Sequence, residues 1–287
     1  MKAVEDLISL ALNEDLGAAG DVTSRAFIPA DSVSLARIVS RCDCIASGIA
    51  IASEVFRRVD PTLTVTAHAE EGERLAPGSL LLEISGPTRS ILSGERTALN
   101  FLGRLCGIAT LSRRYADAVK GTKVTLLDTR KTTPGWRLLE KQAVKAGGCT
   151  NHRMGLHDAV LVKDNHLAAL GELSLLPPVI ARLRSEHPGL PIEIEADTID
   201  QLKTLLGMKG IDVILLDNMT NAQMTEAVAL RNKLDPAVLL EASGGVTLES
   251  IPGIAATGVD RISVGALTHS ATNADLSLEM ESPGHVS

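Results

Sequence analysis

Between residues 126 and 166 the chain reads "LLDTRKTTPGWRLLEKQAVKAGGCTNHRMGLHDAVLVKDNH", with Arg130, Lys131, Arg137, Lys141, Lys145, Arg153 and Lys163 set against Asp128, Glu140, Asp158 and Asp164. The chain as a whole carries a formal charge of −7, so this gathering of cations has a local reason. Arg130, Lys131 and Lys163 each follow an apolar run, and Arg153 stands beside His152 after the loop-like "GGCTN". Arginine forks and lysines converging from several segments imply a ligand with more than one anionic group. Arg137, Lys141 and Lys145 read differently. Spaced at i, i+4 and i+8 around Glu140, they predict the solvated face of a helix.

A second set of residues is acidic. Glu193, Glu195 and Asp197 alternate, which puts them on one face of a strand, and Asp217 closes the next apolar run. Carboxylates so placed suit Mg²⁺, sugar hydroxyls or an oxocarbenium-like centre. Paired with Lys163 or Arg130 they would instead be structural ion pairs. A third set is small: "LEASGG" and "ISVGALTHS" contain Ser243, Gly244, Gly265 and His269, and there backbone N–H groups have room to approach a phosphate. The alternative is that these glycines only make tight turns. His152 suits a ligand contact, while His166 serves equally as a local cap. Cys42 and Cys44 read as core packing on one face of a strand.

These groups need a scaffold that brings them to one place. Apolar runs at Val124–Leu127, Ala159–Val162, Ile192–Ile194, Val213–Leu216, Val238–Leu240 and Ile262–Val264 alternate with helix signals such as the Thr198/Gln201 capping box. Near-continuous apolar strands separated by helices imply a parallel sheet covered by helices. Each of the six runs leads directly into polar or small residues. Six strand ends converge on one mouth in a barrel, whereas an open doubly wound sheet would use two or three of them. Ahead of this lie an amphipathic helix up to Gly17, a β-rich and Gly/Pro-punctuated region over 33–87, and a long helix over 93–119 capped by Ser93.

Composition excludes several classes. Three Phe, one Tyr and one Trp supply no stacking platforms for single-stranded nucleic acid, and the acidic balance disfavours nucleic-acid or acidic-membrane binding. Four cysteines without a CxxC pair suggest neither a disulfide framework nor a zinc site, and fit a reducing cytoplasm. Eighteen apolar residues never run together and the first residues lack a leader pattern, so a soluble, unexported protein is expected. No Walker loop, GxGxxG after a strand, GxSxG or HExxH occurs.

Over nearly the whole chain the sequence resembles the quinolinate phosphoribosyltransferases. The resemblance is carried by "NEDLGAAGDVTS", "GERTALNFLGRLCGIATL", "DTRKTTPGWRLLEKQAVKAGG", "NHRMGLHDAVLVKDNH", "IEIEAD", "LLDNM", "LEASGGVTLESI" and "GVDRISVGALTHSA". It implies the type II phosphoribosyltransferase fold: an N-terminal α/β sandwich over 1–110 with a linking helix, and an incomplete α/β barrel over 111–287. The affiliation of the tail after 272 stays open. It also implies a pentosyltransferase of NAD biosynthesis that uses quinolinate, phosphoribosyl pyrophosphate and Mg²⁺. The resemblance further implies a homodimer with shared active sites, and assembly beyond the dimer is left open. Carried over, Arg130, His152, Arg153 and Lys163 surround the quinolinate carboxylates, with Arg96 reaching in from the partner subunit. Lys131 serves the phosphoribosyl donor, Glu195 and Asp217 its ribose and Mg²⁺ side, and Ser243, Gly244, Gly265 and His269 its phosphate end. Trp136 and Cys149 depart from the pattern. The alternatives are a molybdenum-transport-associated homologue of the same fold and a barrel isomerase or aldolase acting on a sugar phosphate.

Overall fold

A computed structural model describes residues 2–280. Helix α1 (Lys2–Leu16) buries Ile8 and Leu12 and stops where Gly17 takes φ +51°. Helix α2 (Val22–Phe27) is capped by Asp21, whose carboxylate accepts from the Ser24 N–H. There follow β1 (Val33–Ser40), β2 (Cys44–Ile45), α3 (Ile49–Val59), β3 (Thr64–Ala67), β4 (Arg74–Leu75), β5 (Leu80–Pro87) and α4 (Thr88–Ala118). The long helix thus begins directly after Pro87, five residues before the expected cap. Ser93 lies inside it and donates its hydroxyl to the Arg89 carbonyl, a back-bond open to any helical serine. Cys42 and Cys44 do not share a strand, because residues 41–43 form a bend between β1 and β2.

Beyond α4 the alternation inferred from the sequence is present: β6 (Thr125–Leu127), α5 (Arg137–Ala146), β7 (Val160–Val162), α6 (Asp164–Leu170), α7 (Leu176–Glu186), β8 (Ile192–Ala196), α8 (Ile199–Leu206), β9 (Val213–Asp217), α9 (Asn221–Leu234), β10 (Leu239–Ser243), α10 (Ile251–Ala256), β11 (Arg261–Ser263), α11 (Ala266–His269) and β12 (Leu276–Met280). Reciprocal capping boxes, Thr198 with Gln201 and Thr220 with Gln223, start α8 and α9.

By their contacts the described elements fall into two units, interleaved along the chain. Of the described residues the first comprises 2–113, 132–148 and 267–280, and the second comprises 114–131 and 149–266. The sequence reading sets one boundary near 110, whereas in the structure 132–148 and 267–280 pack with the first unit. The first unit holds an antiparallel sheet in the order β12-β1-β5-β3, and β12 pairs with β1 from Ala36↔Met280 to Ser40↔Leu276. Phe56, Phe101, Ile38, Leu82, Ile84 and Leu102 are fully buried in it. Helix α5 belongs here as well. Lys141 on it is only 1% exposed and Arg137 is half-buried, which corrects the expected solvated face; Lys145 alone is exposed. The reason is Glu140, itself fully buried, which accepts from Arg104 of α4 at 2.7 and 3.1 Å and from the Thr133 N–H and hydroxyl. That network draws the charged side of α5 inward.

The second unit is a parallel sheet in the order β6-β11-β10-β9-β8-β7. Its edge strands β6 and β7 do not pair with each other, so the barrel is incomplete. Beside β6 the chain supplies a substitute for one more strand: Thr150 bridges Leu127 in parallel, its N–H donating to the Leu126 carbonyl and its carbonyl accepting from the Asp128 N–H. All five residues of β8 are buried, as a strand covered on both faces requires. Leu, Ile, Val and Ala fill this core.

Candidate active site

A cavity of about 280 Å³ lies at the carboxyl ends of the barrel strands. Arg130 and Lys131 enter it from the end of β6, Lys163 from β7, Ser243 and Glu241 from β10, and His152 and Arg153 from the loop beside β6. Six residues singled out from the sequence therefore line one space. Gly244 stands one residue on at φ +97°, where a side chain would collide with Asn218. Gly265 follows β11. Arg96 and His269 belong to the first unit, both exposed.

The cations are held apart by specific partners. Arg153 donates Nη1 to the Ala159 carbonyl at 3.0 Å and its own N–H to His152 Nδ1 at 2.8 Å. Burial, and then the neighbouring Arg130 charge, push the Arg153 guanidinium below its ordinary range. Two arginines sharing a cavity repel each other and favour an anion between them. Lys163 Nζ lies 3.6 Å from Glu195, and the His166 ring accepts from the Lys163 N–H at 2.9 Å, so His166 is a local anchor.

His152 occupies a different position from the one expected of a simple ligand contact. Its Nε2 lies 3.1 Å from Glu193 and 3.4 Å from Glu241, both buried carboxylates, while Nδ1 faces the Arg153 N–H. Both ring nitrogens are therefore engaged by the protein. Burial favours the neutral ring, but the two carboxylates outweigh it and lift the pKa to about 9. Burial likewise raises Glu193 against the pull of His152. Among the described residues neither oxygen of Glu241 has a hydrogen-bond partner, so its 3.4 Å approach to His152 is an electrostatic contact.

Beside this cluster, Glu195, Asp197 and Asp217 bring carboxylate oxygens within 4.8 Å of one another. Burial first, and the Asp217 and Asp164 charges further, raise Glu195; the Asp164 N–H and Lys163 oppose them. Three hard oxygen donors at this spacing fit Mg²⁺ better than a soft metal.

Sequence reasoning missed three contributors. Asp128 is fully buried and accepts from Asn151 Nδ2 at 2.6 Å and from the His152 N–H at 2.8 Å. Glu241 faces His152. Asn218 is the one non-glycine with positive φ among the described residues, at +52°; its N–H donates to the Ser243 carbonyl and its amide to Asp217. Signals were available: lone acids inside the apolar runs "LLD" and "LLEAS", and an asparagine, which tolerates the left-handed region, directly after a strand.

Comparison with known proteins places this geometry. Residues 108–279 match the model of the quinolinate phosphoribosyl transferase C-terminal domain and residues 21–106 that of the N-terminal domain. The chain belongs to the quinolinate phosphoribosyltransferase family. It is 41% identical over 280 residues to the nicotinate-nucleotide pyrophosphorylase [carboxylating] of Mycobacterium leprae, covering 97% of each chain. It is 42% identical over 268 residues to the probable nicotinate-nucleotide pyrophosphorylase [carboxylating] of Bacillus subtilis, covering 93% of this chain and 90% of that one. Among solved structures, the nicotinate-nucleotide pyrophosphorylase of Francisella tularensis superposes with a TM-score of 0.89 at 35% identity, covering 98% and 96% of the two chains. The quinolinate phosphoribosyltransferase fold, a small sheet domain with an incomplete barrel, is the one built here. Among the described residues, no helix is long and apolar enough to cross a membrane.

Proposed function

We propose that this protein transfers the phosphoribosyl group of phosphoribosyl pyrophosphate to quinolinate with decarboxylation, giving nicotinate mononucleotide, pyrophosphate and CO₂ in de novo NAD biosynthesis. The observation that carries this reading is a cavity in which Arg130, Arg153 and Lys163 meet beside the Glu195/Asp197/Asp217 carboxylates. A planar pyridine bearing two carboxylates needs separated cationic forks, and a ribosyl centre gaining positive charge needs carboxylates. A sugar-phosphate isomerase would leave the arginines without a task.

In this reading the Arg130 and Arg153 guanidiniums and Lys163 orient the quinolinate carboxylates, with His152 lining the same cavity. The ring nitrogen then attacks C1 of the ribose as pyrophosphate departs. Lys131 neutralises donor phosphate charge, and backbone N–H groups at Ser243, Gly244 and Gly265, with His269, receive the phosphate end. Glu195 and Asp217 face the oxocarbenium-like centre, and with Asp197 they are the oxygen donors that would hold Mg²⁺. Bound there, the ion would supply charge neutralisation to the leaving pyrophosphate. Once the ring nitrogen is quaternary, its positive charge stabilises the electron pair left on C2 as the adjacent carboxylate departs as CO₂, and C2 then takes a proton from solvent. We further infer a homodimer in which Arg96 of the partner subunit completes each site. A cytoplasmic setting is supported by four cysteines that are all free thiols.

The test is direct. With quinolinate, phosphoribosyl pyrophosphate and Mg²⁺, the protein should release CO₂ and nicotinate mononucleotide in equal amounts. Quinolinate, which the cavity binds through two carboxylates, should raise the melting temperature by more than nicotinate does at the same concentration. Absence of product, or equal turnover of nicotinate, overturns the proposal.

A further inference from the structure

The two cation-bearing segments of the cavity, 130–131 and 152–153, are joined by one side chain. Asp128 follows β6 directly, two residues before Arg130, and it is fully buried. Its Oδ2 accepts from Asn151 Nδ2 at 2.6 Å and its Oδ1 from the His152 N–H at 2.8 Å. The backbone beside it continues the junction, since the Asp128 N–H donates to Thr150 at 3.1 Å and Thr150 to Leu126 at 2.8 Å. From His152 the chain of contacts passes on: Nδ1 accepts from the Arg153 N–H, and Nε2 is held between Glu193 and Glu241. Residues 151–153 have no regular secondary structure of their own. Their geometry therefore rests on these side-chain bonds and not on a ladder.

We propose that Asp128 is a positioning residue that sets the distance between Arg130 and Arg153, and through it the preference of the cavity for a pyridine with two carboxylates over one. This rests on the functional reading above. The physical case is one of shared partners. A buried carboxylate accepting two charge-assisted bonds holds its donors more firmly than neutral acceptors do. Losing it leaves the Asn151 amide and the His152 N–H to find other partners in a partly buried place. Arg153 keeps its own bond to the Ala159 carbonyl, but without the Asp128 joint the 151–153 segment is free to shift against 130–131, and the separation that a dicarboxylate spans is no longer fixed. A monocarboxylate needs only one fork and is indifferent to that separation. The expected loss is thus selective for the dicarboxylate, which general loosening of the fold would not produce.

Calorimetric titration of quinolinate and of nicotinate tests this, with the melting temperature recorded for each variant. Asp128→Ala should weaken quinolinate at least about ten-fold, the size of one lost charged hydrogen bond, while nicotinate changes by less than about two-fold. Asn151→Ala removes only one of the two bonds and should show a smaller loss in the same direction, which keeps the test open should Asp128→Ala fold poorly. The double variant Asp128→Asn, Asn151→Asp exchanges donor and acceptor across the same gap and should recover most of the quinolinate affinity. A quinolinate-to-nicotinate ratio unchanged in folded Asp128→Ala or in Asn151→Ala overturns the positioning role, as does a double variant no better than Asp128→Ala. A wild-type protein that ignores quinolinate overturns the functional reading itself, and the wild-type titration shows this before any variant is made.

Discussion

His152 carries the sharpest pH consequence among individual residues. Its ordinary pKa is 6.5 and Glu193 and Glu241, against burial, raise it to about 9, so the ring keeps its proton through neutral pH. A raised folded-state pKa adds stability that is complete below about 6.5 and disappears as pH rises through about 9. The Arg153 N–H facing Nδ1 acts in the opposite sense, because that nitrogen accepts only when it is unprotonated. We expect the His152 ring resonance to titrate near 9 in wild type and to move down toward 6.5 in Glu241→Gln, with the alkaline loss of stability moving with it. A wild-type midpoint at 6.5 would show that the Arg153 contact governs the ring. The sequence made part of this legible. Alternation placed Glu193 and Glu195 on one face, yet only the fold assigns Glu193 to His152 and Glu195 to Lys163, since those partners lie at remote positions in the chain. Asp128 and Glu241 went unread because neither stands among other acids at strand spacing: Asp128 follows β6 and Glu241 sits in the middle of β10.

Among the elements, the strands were the legible part and the helices less so. Apolar runs bounded by polar ends located all six barrel strands to within a few residues, because a strand buried on both faces has a pattern that no helix nearby shares. Helix α4 defeated the reading at its start: Ser93 resembles a cap, but Pro87 ends β5 and the helix follows at once. Arg96 therefore sits in the helix interior, with no part in its cap. What remains is that it is exposed, with no hydrogen bond or ion pair among the described residues. Helix α5 was misread because i, i+4 charge spacing is the same for a solvated face and for a buried ion pair. The Arg104–Glu140 contact decides between them, with Glu140 wholly buried and Arg104 also donating to the Ala271 and Thr268 carbonyls. Arg104→Ala should lower stability by about 3 kcal/mol, as expected when a buried charge loses its partner. Gly147→Ala should cost about 1–3 kcal/mol, because a Cβ there meets Ser112 and the Ala109 carbonyl of α4. Chemical denaturation checks both, and an unchanged midpoint for Arg104→Ala would mean that Glu140 is held by Thr133 alone.

For the whole molecule, the charge distribution acquires its meaning from the site. An acidic surface around a cationic cavity leaves the cavity as the main place where a polyanion is attracted, which concentrates phosphorylated and carboxylated ligands there and not over the surface. The shared-site dimer inferred above explains an arginine that is exposed and without a partner of its own within the described chain. The last prediction follows from that. Arg96→Ala and Lys163→Ala homodimers should each be nearly inactive, since every site in either one lacks a cation. Under conditions that exchange subunits, a heterodimer collects both lesions into one site and leaves the other site with its full set, by the two-fold relation of the subunits. Mixed samples should therefore regain activity, approaching about half of the wild-type value per heterodimer. In each homodimer every site lacks either Arg96 or Lys163, so recovery cannot come from either one. If heterodimers form, as mass spectrometry of the intact assembly would show, and activity still does not return, each subunit builds its site alone and Arg96 acts within its own chain.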